Sequence, residues 1–285
     1  MDRTWLLRSV TRVVDPQAVV EGAGVRLVRT IGGRALDYLD PFLLLDDFRG
    51  DNPQDYLAGF PWHPHRGIET VTYMLAGQVR HRDSIGNAGT IRGGDVQWMT
   101  AGRGIMHEEM PEPLDGQMGG FQLWVNLPAR LKMIAPRYQD VPAASIPVVE
   151  HEGAAVKVIS GEYAGVVGPV TEIYVQPTYL DVALAPGAGW TLPVPAGHTA
   201  FAYLFEGAGL FGEGGGASQA PRLVVFDDGE QVAARAGEGG MRFLFVAGRP
   251  LHEPIARYGP FVMNTRAEIE QALRDLRDGT FVARL

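Results

Sequence analysis

The segment Glu69-Thr-Val-Thr-Tyr-Met-Leu-Ala-Gly77 recurs 130 residues later as Thr199-Ala-Phe-Ala-Tyr-Leu-Phe-Glu-Gly207. Both copies are rich in the β-branched and aromatic residues that suit a pleated sheet, both end on glycine, and a fixed offset between them is the mark of an internal duplication. A chain of 285 residues is long for one core and comfortable for two of about 140 residues each. Repeat and length together predict two domains of one architecture, 1–142 and 143–285, joined through 128–142, where Lys, Arg, Pro and Asp mix without a clear period. The 37 glycines and 20 prolines favour short strands linked by frequent tight turns, so the expected class is all-β.

Single segments agree with that class. Asp40-Pro-Phe-Leu-Leu-Leu-Asp-Asp-Phe48 reads as a buried strand between polar ends, and 49–61, rich in Gly, Asn, Asp and Pro, as a loop able to rim a pocket. Residues 70–75 read as a strand ended by Gly77, with 78–83 as the return strand of a hairpin; 96–99 and 120–126 are further strands. Near the end, Thr265-Arg-Ala-Glu268 fits a capping box, Ile269, Ala272, Leu273 and Leu276 fall at helical spacing, and Gly279 stands where a helix would stop. One closing amphipathic helix is expected, covering a sheet or a seam between domains.

Composition excludes several function classes. With no cysteine, disulfides, iron–sulfur clusters and thiolate ligands are ruled out, and any bound metal must be held by nitrogen and oxygen. The start, Met1 to Arg8, lacks the apolar core of a secretory signal, and no stretch approaches the roughly 20 apolar residues that span a bilayer, so a cytoplasmic location is expected. A net charge of −8 without a dense Lys/Arg run argues against a direct nucleic-acid ligand. Gly102-Arg-Gly104 and Gly212-Glu-Gly-Gly-Gly216 carry no phosphate-loop Lys-Ser/Thr pair and read as turns; none of the five serines lies in a Gly-x-Ser-x-Gly elbow.

Two histidine segments carry the chemistry: Phe60-Pro-Trp-His63-Pro-His65-Arg-Gly67 and Gly102-Arg-Gly-Ile-Met-His107-Glu-Glu109-Met110. Alternate side chains of a strand share a face, so His63 and His65 can meet His107 and Glu109 from a neighbouring strand, and three imidazoles with a carboxylate make a metal site. Parity favours Glu109 over Glu108. Glu69 shares parity with His63 and His65, and spacing does not decide between it and Glu109. Such ligands suit iron, manganese, nickel, copper or zinc. On an octahedral ion four protein ligands leave two positions open; the bland alternative is a closed tetrahedral zinc, which a large two-domain core does not need as a staple. His81, His151, His198 and His252 each lack a partner at ligand spacing. Under the 130-residue offset His63 falls on Pro193 and His65 on Pro195, and no histidine between His198 and His252 replaces His107, so the second domain is expected to have the sheet without the metal.

Asp40–Phe48, His63-Pro-His65-Arg-Gly67, Asp95 through Pro111, Leu123-Trp-Val-Asn-Leu127 and Gly259-Pro-Phe-Val-Met-Asn-Thr265 resemble the signatures of the pirin family of the cupin superfamily, and the likeness runs through most of the chain. The resemblance implies two stacked jelly-roll β-barrels. It also implies a single divalent metal, iron(II) before manganese, nickel, copper or zinc, held in the N-terminal barrel by His63, His65, His107 and Glu109; on this ground Glu109 is preferred to Glu69. Some pirins resemble quercetin 2,3-dioxygenase in activity, which implies a flavonol and O2 as substrates and Glu109 as the base that takes the flavonol proton. Trp62, Met74, Trp98, Met99 and Phe121 are candidate pocket walls, although plain barrel core is the commoner role for each. Other pirins are described as redox-sensitive regulators that bind a transcription factor or metabolic enzyme. Arg26, Arg29 and Arg34 could give such a protein partner a local basic face, although a solvated edge is the preferred reading of those arginines.

Overall fold

The computed structural model of the chain describes residues 5–112, 114, 116–212 and 215–282. Met1–Thr4 of the opening segment, and Glu213 and Gly214 of the second glycine run, lie outside the described residues. The structure is built from strands, with one α-helix, Arg266–Arg277, among the described residues. No helix is long and apolar enough to cross a membrane.

Two compact units form: Gln17–Ala143 with Leu251–Leu285, and Ala144–Pro250 with Met1–Pro16. The chain's ends are thus exchanged relative to a single cut near residue 142, for a packing reason that no local pattern carries. Strand Val10–Val14 pairs antiparallel with Arg222–Phe226 in the later unit. At the other end, the helix buries Ile269 and Ala272 with Phe261, Met263 and Phe281, and Asp275 takes an ion pair from Arg66 at 2.6 Å in the histidine-bearing unit. The helix begins as expected: Glu268 N–H donates to the Thr265 hydroxyl and the Glu268 side chain reaches back to the Thr265 backbone.

The histidine-bearing unit contains a seven-stranded sheet in the order Arg137–Val141, Val96–Thr100, Ile68–Ala76, Gly119–Asn126, Phe42–Asp47, Val25–Ile31, Gln17–Glu21. The later unit repeats it along the path Val10–Val14, Arg222–Phe226, Thr199–Phe211, Gln231–Gly248, Thr178–Leu184, Ala154–Ser160, Val148–His151. The two repeated segments, Ile68–Ala76 and Thr199–Phe211, occupy the same third place. Each sheet runs from edge to edge without closing into a ring, so the architecture is an open jelly roll rather than a sealed barrel. Every residue of Phe42–Asp47 is buried, as a strand flanked on both sides requires.

A second, four-stranded sheet in the histidine-bearing unit has the order Phe60–His65, Ile105–Glu112, Gln78–Asp83, Ala88–Arg92. Here the expected hairpin fails: Gln78–Asp83 pairs with Ile105–Glu112 and Ala88–Arg92, not with Ile68–Ala76. Gly77 (φ +71°), where a Cβ would stand 2.7 Å from the Gln117 carbonyl oxygen, lets the chain leave one sheet for the other. That crossing places the histidine strands opposite the polar residues of the larger sheet.

Candidate metal centre

Phe60–His65 and Ile105–Glu112 run antiparallel, with His107 opposite His63 and Ile105 opposite His65. Ring centroids lie 4.9 Å apart for His63 and His65, 4.3 Å for His63 and His107, and 5.1 Å for His65 and His107. One ligand nitrogen from each ring falls within 4.8 Å of the others.

The tautomers follow from partners. His63 Nδ1 lies 2.9 Å from the Pro61 carbonyl oxygen; a carbonyl only accepts, so Nδ1 carries the proton and Nε2 presents its lone pair. That Nε2 is 3.1 Å from His65 Nε2. Two nitrogens bound to one ion at about 2.0–2.1 Å each stand about 3 Å apart when their bonds meet at a right angle. Burial pushes the His65 and His107 pKa values well below the ordinary imidazole range and lowers that of His63 as well, so all three rings are neutral, the form that ligates. Both nitrogens of His107 and Nδ1 of His65 are buried without a hydrogen-bond partner. A buried orphan of this kind costs about 1–3 kcal/mol, and a cation between the rings would relieve it for the nitrogen that faces it. The residues therefore fit a metal, with donors that are nitrogen and oxygen alone.

The two neighbouring acids separate. Glu108 points away and accepts from the exposed Arg82 guanidinium. Past a bulge that follows His107, Glu109 lines the same cavity as His63 and His65. Its carboxylate is not one of the groups gathered within 4.8 Å; it accepts from the Thr72 hydroxyl at 3.3 Å. Burial raises its pKa to about 7. Glu69 is elsewhere: it accepts from the Thr100 hydroxyl at 2.7 Å and does not line the cavity, whereas Thr72, of the opposite parity on the same strand, does. Its parity with His63 and His65 carried no information, because the turn at Gly67 (φ +79°) resets the alternation between strands. The other histidines are not among the gathered groups: His81, opposite Glu109 on the adjoining strand, lies 2.9 Å from the Gln97 amide nitrogen, and His151 lies beside Glu152 at 3.6 Å.

The cavity has a volume of about 320 Å³. Val25, Leu27, Phe48, Phe60, Val79 and Met118 supply apolar wall, and Tyr56 comes from the loop expected to rim a pocket. None of the five candidate wall residues lines it. Trp62 is 43% exposed under Arg82, Met74 packs among Val25, Leu27 and Met118 beneath the wall, and Met99 packs with Leu43 and Ile68. Trp98 and Phe121 have the wrong parity: Trp98 lies opposite Val71 and Phe121 opposite Tyr73, on the other face of the sheet, while Gln122 and Trp124 reach the cavity. Arg29 is no solvated edge either; it lines the cavity and is bidentate to Asp46 at 2.7 Å.

Three supporting residues escaped the sequence reading. Gln122 Oε1 accepts from Thr72 at 2.8 Å, and a lone polar residue within Gly119–Asn126 was the available signal. Lys132 is buried and its ammonium donates to the carbonyls of Gly67 and Val262, both at 2.9 Å, and to Asn126 at 2.7 Å. It thereby clamps the turn that follows His65, and burial brings its pKa down to about 8. Arg257 also lines the cavity, from a segment that carries no pattern.

Comparison with known proteins agrees with this architecture. The pirin profile matches residues 24–125, and that of the pirin C-terminal cupin domain matches 179–282. A Pseudomonas aeruginosa protein, provisionally named a quercetin 2,3-dioxygenase, is 49% identical over 95% of this chain and 97% of its own length. A Caulobacter vibrioides pirin-like protein is 47% identical, over 96% of this chain and 99% of its own. The crystal structure of an Acinetobacter baumannii protein described as quercetin 2,3-dioxygenase superposes with a TM-score of 0.87 at 37% identity, covering 96% of this chain and 98% of the other. On the fold, the gathered imidazoles and these relatives together, the chain belongs to the pirin family.

Proposed function

We propose that this pirin is a metal-dependent dioxygenase that opens flavonols of the quercetin type with O2, and that His63, His65, His107 and Glu109 hold one metal ion, iron(II) in the native protein. The observation that carries the reading is three imidazoles, His63 half-buried and His65 and His107 buried, gathered at one point beside a cavity of about 320 Å³, within the size range of small-molecule sites. The names of the Pseudomonas and Acinetobacter relatives support the substrate class. Bound there, the metal would supply Lewis acidity toward the flavonol's oxygens and a centre at which O2 and an electron-rich ring meet.

The chain's own residues do the rest. The apolar wall excludes water from the ring system, which strengthens every electrostatic contact inside. Glu109, whose side chain lines the cavity beside the imidazoles, is placed to take the proton of the flavonol 3-hydroxyl on a carboxylate oxygen. Thr72 orients that carboxylate and Gln122 competes for the contact: the single threonine proton serves either the Glu109 or the Gln122 oxygen, 3.3 and 2.8 Å away, so the hydroxyl can turn from one to the other. The Lys132 clamp holds the turn after His65 and with it the ring's position.

The test is anaerobic iron-loaded protein mixed with quercetin and then exposed to oxygen. Loss of the flavonol absorption band with release of carbon monoxide is the expected result. An unbleached flavonol at equimolar protein, with iron content verified, overturns the proposal.

A further inference from the structure

Two guanidinium groups line the cavity, Arg29 and Arg257, and their charges are met in opposite ways. Arg29 uses all three sides of its fork on acids: Nε and Nη2 donate to the two oxygens of Asp46, both at 2.7 Å, and Nη1 donates to Glu21 at 2.7 Å. Among the described residues Arg257 makes one hydrogen bond, from Nη1 to the Leu43 carbonyl oxygen at 3.2 Å, and no ion pair. Asp46 and Glu21, which line the same wall, spend their hydrogen bonds on Arg29. A half-buried guanidinium stays protonated at any working pH; Asp37, Asp46 and Glu21 act on Arg257 only at a distance, so its Nε and Nη2 donors are left for a ligand in the cavity.

Its placement is fixed rather than floppy. The guanidinium carbon sits 5.0 Å from the centroid of Trp124, and Trp124 in turn meets the His65 ring edge-on at 5.2 Å. Two ring contacts therefore connect the cation to the imidazole cluster along one wall. Beside it, Gly259 also lines the cavity, and a Cβ there would meet nothing within 4 Å, so the space next to Arg257 is open to a ligand group. A planar fork with free parallel donors matches a carboxylate bidentately.

We propose that Arg257 is the anion-recognising residue of this cavity, and that the preferred ligands are phenolic aromatics carrying a carboxylate on the side of the ring away from the oxygens that face the imidazoles. The inference rests on the reading of His63, His65 and His107 as a metal centre and goes beyond a flavonol as its ligand: a flavonol such as quercetin offers the Arg257 fork no carboxylate, whereas an acid-bearing phenol would engage both ends of the cavity.

The probes are catechol and 3,4-dihydroxybenzoate, which share the adjacent hydroxyls and differ by one carboxylate. Each is titrated calorimetrically, without oxygen, into the iron(II)-loaded protein. A charge-assisted bidentate pair in a partly buried site corresponds to about tenfold in affinity or more, so the wild-type protein is expected to bind 3,4-dihydroxybenzoate at least about tenfold tighter than catechol. Arg257→Gln is expected to reduce that ratio to about twofold, and Arg257→Lys, which keeps the charge without the fork, to leave an intermediate ratio. Equal affinities in the wild-type protein, or an undiminished ratio in folded Arg257→Gln, overturn the proposal. The same titrations on metal-free protein keep the two readings apart: catechol affinity indifferent to iron counts against the metal centre, while the ratio between the probes still judges Arg257.

Discussion

The two units share one strand order and differ in what fills it. In the later unit Trp190, Phe211, Phe226, Phe243 and Phe245 belong to one buried apolar cluster, their rings meeting at centroid distances of 5.1–6.5 Å. In the histidine-bearing unit the corresponding interior keeps a cavity edged by imidazoles, carboxylates and arginines. At the 130-residue offset Pro193 and Pro195 stand for His63 and His65, and prolines can neither ligate nor donate. The sheet therefore sets where a site can be, and side-chain volume and polarity decide whether one exists. One copy of the module packs its interior with aromatic rings, and the other leaves a cavity edged by polar groups.

That contrast can be tested from either side. The largest effect is expected in the packed unit: Phe243→Ala removes a fully buried ring that meets both Trp190 and Phe211 and should cost about 3–5 kcal/mol in chemical denaturation, while the metal content of the folded variant is unchanged. A loss of metal equal to the loss of stability would show that the two units do not divide the work.

A smaller effect probes the histidine-bearing unit. Glu69, whose counterpart in the second copy is Thr199, is 1% exposed and its pKa is raised by burial from 4.5 to about 7. A carboxyl raised in this direction keeps a proton that the unfolded chain has released. Its contribution to stability is complete below pH 4.5 and is lost as pH rises through 7. In metal-free protein Glu69→Gln should therefore gain on the wild type between pH 5 and pH 8, by about 2 kcal/mol. A stability difference flat with pH contradicts the assignment.

The smallest expected effect lies at the exchanged end of the chain. Thr265→Ala removes the helix cap and should cost about 1 kcal/mol, read by denaturation, with Thr265→Ser restoring most of it. No change would mean that the helix is held by Ile269 and Ala272 alone.

How much of this was legible beforehand follows from the range of each signal. Strands, the capping box and the duplication are local or periodic, and all are present. The pairing of His63 with His107 was legible because parity holds within each strand. Parity does not survive a turn, which is why Glu69 looked like a rival to Glu109 until Gly67 was placed between the strands. The wall residues failed for a related reason: Phe121 and Trp98 are large and apolar, but only strand pairing shows that Gln122 and Trp124 take the inner face. Gln78–Asp83 looked like a hairpin partner because a glycine turn announces a reversal and not which sheet receives the next strand. Arg257 and the exchanged ends depend on contacts across more than 200 residues of sequence, such as Arg257 with Leu43 and Arg66 with Asp275, and no window along the chain contains them.

The account stands on one ion among three imidazoles, and elemental analysis of purified wild-type protein beside His107→Ala tests it most directly. Loss of a ligand should cost more than the roughly 10–100-fold in affinity that loss of a supporting residue does. About one equivalent of transition metal in the wild type and almost none in the variant is the expected result; equal metal in both proteins would contradict it.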